Sequence, residues 1–329
     1  MEIKDLAGLS KPLTRLIEVS SAGLGRLTEA HFKKKMADAK AYEIRIVTEA
    51  LRETNTDFEK LSYDKKGLLA VCEKQGVDQE KVDATIQLME RSGLRVAEQE
   101  ARRQKNIESV LSGAAEHLSK ESAVPNDKPN DDWTTRFFRY SEDIGSEEMQ
   151  GLWSKILAGE ILKPNTYSLR FLDAIRNIST VEAEIFCRLA NFALEGGDKI
   201  FVLSEQKFLD GNSLTFSDLL ILRDIGLIYP NDLRFRFLQS KKGTQSHLIY
   251  AGNIVLIDRE EDTPEIPLQS IIFTKIGSEI LSLVQRTVSE QYLSILASKL
   301  KAHNGVSVTH ARILSILGDQ IQYGPKVQL

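Results

Sequence analysis

At 329 residues the chain exceeds what one hydrophobic core usually serves and implies about two folding units. A 42% hydrophobic, 27% charged composition with only 8 Pro and 20 Gly excludes disordered, collagenous and disulfide-scaffold classes. Lys and Arg number 43 against 47 Asp and Glu, so the net charge of -4 offers no global attraction to polyanions or an anionic membrane, and any such contact must be local.

The opening MEIKDLAGLSKPLTRLIEV lacks the unbroken apolar run of a secretory signal, and Cys72 and Cys187 are isolated, so a reducing cytoplasm is the expected compartment. Leu6, Leu9, Leu13, Leu16 and Ile17 recur at helical steps as far as a break at Gly23 and Gly25, which predicts a short amphipathic helix. A second, long helix is predicted over about 31–55 and a third over 79–120, where Val82, Ile86 and Met89 are followed by Ile107, Val110 and Leu118. Long helices with narrow apolar stripes pair readily, so residues 1–121 are predicted to be an oligomerisation region and the protein a homo-oligomer.

The Pro- and Asn-rich segment 122–132 predicts a linker. Residues 133–195 then read as a central four-helix module. Trp133, Phe137 and Tyr140 share one helical face, Ser146 caps a helix through Met149, Leu152, Trp153 and Ile156, a third helix runs through Leu169 and Leu172, and Ser179 to Glu182 form a capping box opening a fourth. Residues 196–329 combine short strands with a helix over about 215–225. Leu233 to Leu238 and His247 to Ile257 are predicted to pair as a hairpin, and helices follow from Thr274 and Ser289. This order predicts a winged-helix-like module, and the fold class expected for the whole chain is mainly α.

Little in the sequence calls for catalysis. The five histidines, His31, His117, His247, His303 and His310, do not fall at metal-ligand spacing, and no cofactor motif or nucleophile elbow occurs, so neither metal nor cofactor is expected and the protein reads as non-enzymatic. The pairs Asp131-Asp132 and Glu147-Glu148 read as helix-start acids, and Gly196-Gly197-Asp198 as a turn. For a nucleic-acid-binding regulator, Lys241, Lys242, Arg234 and Arg236 are the candidate phosphate contacts, because the helix before them carries more acid than base; such binding would be weak. A membrane-acting effector using residues 1–30 is a third reading, although Glu18 and the lack of an aromatic anchor favour burial of that helix against protein. A protein partner for the C-terminal module is a further alternative.

One group of residues carries a resemblance. Arg103-Gln104, Asn106 and Ile107, then Trp133 and Phe137, then Met149-Gln150 with Leu152-Trp153, Gly159-Glu160, Pro164 and Leu172 resemble the bacterial family of domain of unknown function 2806. Asn165-Thr166 stand where that pattern has a Pro-Gly turn. The Leu-Trp helix is also similar to Abi-alpha proteins, whose link with abortive infection implies a role in phage defence. The motif residues, Trp133, Phe137, Met149, Gln150, Leu152, Trp153, Gly159, Glu160 and Arg170, are those a helical core needs, and Arg170 is the expected ion-pair partner of Glu160. The expected function is therefore a helical scaffold or sensor.

Overall fold

The computed structural model describes residues 10–24, 60–64, 67–71, 79–231, 233–237, 246–260, 266–303, 305–317 and 320–329. The helix expected over 31–55 and the solitary Cys72 lie outside these residues. The chain divides into two compact units, 1–166 and 167–329.

In the first unit, α1 (Lys11–Leu24) is followed by a hairpin of β1 (Lys60–Asp64) and β2 (Gly67–Val71), then α2 (Gln79–Leu118), α3 (Asp131–Ser141) and α4 (Glu147–Leu162). Helix α2 has 40 residues and spans about 60 Å at 1.5 Å per residue. Its C-terminal half packs with α1, α3 and α4 around a core of Leu16, Val19, Ile107, Val110, Leu118, Phe137, Trp153 and Ile156. The segment 122–132 is tied into this bundle: Arg15 donates to the carbonyls of Asn126 and Asp127, Lys128 pairs with Glu18, and the Asn130 side chain caps α3. Thus the division of the chain falls after α4, and the helices predicted third and fourth in the central module belong to the second unit.

The second unit begins with α5 (Leu169–Asn177) and α6 (Thr180–Ala190), continues through β3 (Leu194–Gly196), β4 (Lys199–Leu203), α7 (Gln206–Gly211), α8 (Phe216–Asp224), β5 (Leu233–Phe237), β6 (Ser246–Tyr250), β7 (Asn253–Arg259) and β8 (Ile266–Ile272), and ends with α9 (Lys275–Leu281), α10 (Glu290–Lys301), β9 (Val306–Leu317), β10 (Gln320–Tyr323) and β11 (Val327–Gln328). Its strands form one antiparallel sheet in the order β10-β9-β7-β6-β3-β4-β8-β5, with β11 also on β9. The fold is therefore α+β, which corrects the mainly α expectation, and a sheet of nine strands stands where a small winged-helix-like module was expected.

The expected hairpin is corrected too. β5 pairs with β8, from Leu233 opposite Ser270 to Phe237 opposite Ile266, whereas β6 pairs with β7 and β3. Alternation of apolar and polar residues marks a strand without naming its partner. The stretch read as one strand from His247 to Ile257 is two, joined at Ala251 and Gly252, which take φ of 45° and 78°. Alanine is a poor signal for a left-handed turn position, so the reversal is hidden in the sequence. Behind the sheet, Phe192, Phe208, Tyr250 and Tyr292 form a buried aromatic group, and the Tyr292 hydroxyl accepts the Leu203 N–H at 2.9 Å.

Candidate functional site

In the first unit an open groove of about 820 Å³ lies between α2 and α4. Helical spacing builds both walls. Gln99, Arg102, Asn106, Ser109 and Gly113 recur along α2, and Glu147, Gln150, Gly151 and Ser154 along α4, while Glu142, Asp143 and Gly145 close one end.

The floor is a hydrogen-bond network that serves the end of α3. Carbonyls in the last turn of a helix and just beyond it have no partner inside the helix. Here the Asn106 side-chain amide donates to the Glu142 carbonyl at 2.8 Å, and the Gln150 amide donates to the Ile144 carbonyl at 2.9 Å and to the Asn106 Oδ1 at 3.2 Å. Ser109 donates to Gln150 Oε1 at 2.6 Å. The Ser154 hydroxyl lies 2.9 Å from the Val110 carbonyl across the helix contact, and a Cβ on Gly113 would overlap that hydroxyl, so glycine sets how closely α2 and α4 approach. Both Gln150 amide hydrogens are used within the network, which makes this floor a clamp between helices.

Arg103 stands at the rim within reach of Glu100 at 3.2 Å, Asp143 at 3.6 Å and Glu142 at 3.9 Å. Desolvation works against its charge, yet its hydrogen bond to Glu100 and the surrounding carboxylates raise its pKa above the ordinary guanidinium value. It remains a cation committed to its own helix and to the turn after α3.

The motif residues otherwise occupy the core. Trp133 and Phe137 stack at 5.1 Å, Phe137 meets Trp153 at the same separation, and both indoles are buried with no hydrogen-bond acceptor for either N–H. Met149, Leu152 and Gly159 are half-buried on α4. Glu160 is buried, and its Oε1 accepts the Asn165 N–H at 2.6 Å, closing the turn after α4. Asn165 has φ of 67°, the left-handed conformation that favours glycine and that asparagine tolerates, so it takes the place of the expected Pro-Gly turn. Arg170, expected to pair with Glu160, is exposed on α5 in the other unit.

Residues 90–297 match the model of a family described as a protein of unknown function, DUF2806. The chain belongs to this family. The DUF2806 match takes in the groove, the Trp-Phe-Trp stack, the sheet as far as β8, and most of α10. No curated protein and no solved structure matches the chain. The likeness to Abi-alpha proteins finds no support in these matches.

Arg234 and Arg236 lie on β5, their backbones paired with Gln269 and Pro267 of β8, and Lys241 and Lys242 lie outside the described residues. The exposed surface of α8 offers Phe216, Leu220 and Asp224, a poor match for phosphate. Among the described residues no three His, Cys, Asp or Glu side chains gather as a metal site, and no helix is long and apolar enough to cross a membrane. Sequence reasoning missed Gln99, Arg102, Ser109 and Gly113. Their spacing along one helical face was visible, but the α4 wall that makes them a groove was not.

Proposed function

We propose that this DUF2806 protein is a non-enzymatic, self-associating scaffold whose contact element is the N-terminal half of α2. One observation carries the reading. From Arg91 to Gln99 every residue of α2 is exposed, with Leu94 at 67% and Val96 at 47%, and one turn earlier Leu88 is at 60%. Helices of this kind gain most of their stability from packing an apolar face, and a stretch uncovered on every side gains none there. The groove beneath supports the same reading, since its amides are spent on holding α2, α3 and α4 together.

Light scattering on the full chain tests this. A mass of two or more chains at tens of micromolar is the expected result, lost or weakened when Leu88, Leu94 and Val96 are changed together to Glu. A strict monomer overturns the reading.

A further inference from the structure

Steps of four, seven, eleven and fourteen residues from Arg91 place Arg95, Glu98, Arg102 and Lys105 along one face of α2. All are exposed, and none of the four bases has an ion-pair partner among the described residues. Glu98 is the only acid on this stretch of the face; Glu90 and Glu100 project elsewhere by the same periodicity. The track rises about 21 Å along the helix, and its lower end, at Arg102 and Lys105, is the α2 wall of the groove, beside Gln99 and Asn106. In a chain of net charge -4 this is a local concentration of positive charge, three of its four bases being guanidinium groups.

We infer that the Arg91–Arg95–Arg102–Lys105 face of α2 binds the phosphate backbone of a nucleic acid. Guanidinium forks donate bidentately to anionic oxygens, those of phosphate and of carboxylate alike. Two features favour phosphate over an acidic protein. The bases are strung along one helix face at regular steps, as a regularly charged polymer requires. Between Arg91 and Asn106 a single large apolar side chain, Leu94, borders this face, whereas protein partners draw their affinity from clusters of buried apolar and aromatic anchors. Backbone contacts of this kind carry no sequence information and release counterions, so the binding is indifferent to sequence and sensitive to salt. The committed Arg103 takes no part. The inference does not depend on self-association, which is read separately from the mass in solution.

The test uses the full chain and a fluorescently labelled DNA duplex of arbitrary sequence, followed by anisotropy across a salt series. Binding at low salt is expected, with the logarithm of affinity falling by about 0.9 per log unit of salt for each phosphate engaged. Arg95→Gln with Arg102→Gln should weaken binding at least tenfold and reduce the salt slope by about two. Lys207→Ala, an exposed base on α7, should change neither. Thermal melting of the double variant should match the parent, because both side chains lie in solvent. The inference is overturned by absence of binding at low salt, by binding that ignores the double variant, or by equally tight, equally variant-sensitive binding of polyglutamate, which would assign the face to acidic protein segments.

Discussion

Trp153 shows how a side chain can be prominent in sequence and still serve only packing. It is fully buried against Phe137, and its indole N–H has no acceptor, so its contribution comes from volume. Trp153→Ala should destabilise the first unit by about 3–5 kcal/mol, the usual cost of emptying a large aromatic site. Trp153→Phe should cost clearly less, because no hydrogen bond is lost with the ring nitrogen. Denaturant unfolding of the two variants checks both, and equal losses would show that the indole nitrogen matters. Gly277 makes a different kind of residue-scale demand, since a Cβ there would overlap the Leu227 carbonyl oxygen and only glycine admits the contact of α9 with that backbone.

Among the elements, α6 opens on a full capping box. Ser179 accepts the Glu182 N–H, and the Glu182 carboxylate accepts the Ser179 N–H at 2.7 Å and its hydroxyl at 2.8 Å. The backbone bond first, and the hydroxyl second, hold the Glu182 pKa below the ordinary carboxylate range. A carboxyl whose folded pKa lies below its unfolded one adds stability that is full above the unfolded value and disappears as pH falls through the folded one. Wild type should therefore exceed Glu182→Gln in stability at neutral pH by about 1 kcal/mol or less, given the exposure of the pair. That margin should vanish on acidification through the carboxylate range. Melting curves of both proteins across pH decide it, and a margin that is constant with pH would remove the ionised carboxylate from the cap. Thr215 and Asp218 repeat the same box at α8.

For the molecule as a whole, the two units carry separate cores. The first is built on Phe137, Trp153 and Ile156, the second on Leu203, Tyr250 and Tyr292. Every strand of the antiparallel sheet lies after residue 166. A fragment of residues 167–329 should accordingly fold alone, with a cooperative thermal transition and a sheet-bearing circular dichroism spectrum. A fragment that stays unfolded would show that the sheet depends on the helical bundle.

What the sequence determined by itself is local. Helix α2 is continuous from Gln79 to Leu118 because Ala, Glu, Arg and Gln dominate it. The caps at Ser146, Ser179 and Thr274 are likewise properties of a few neighbouring residues, as is the turn at Gly197. The burial of Trp153 followed from its spacing to Ile156 and Leu157. Tertiary structure decided everything that joins distant residues. The partner of β5 is β8, whose Ile266 to Ser270 lie opposite Phe237 to Leu233 far along the chain, and a strand's alternation is the same whichever neighbour it takes. The groove needs Asn106 and Gln150 to meet across 44 positions, and the boundary after Thr166 depends on which core each helix enters. Segment 122–132 reads as a linker by composition, yet Arg15 and Asn130 bind it into the first unit, because turn-forming residues specify a change of direction and leave open what the chain then touches.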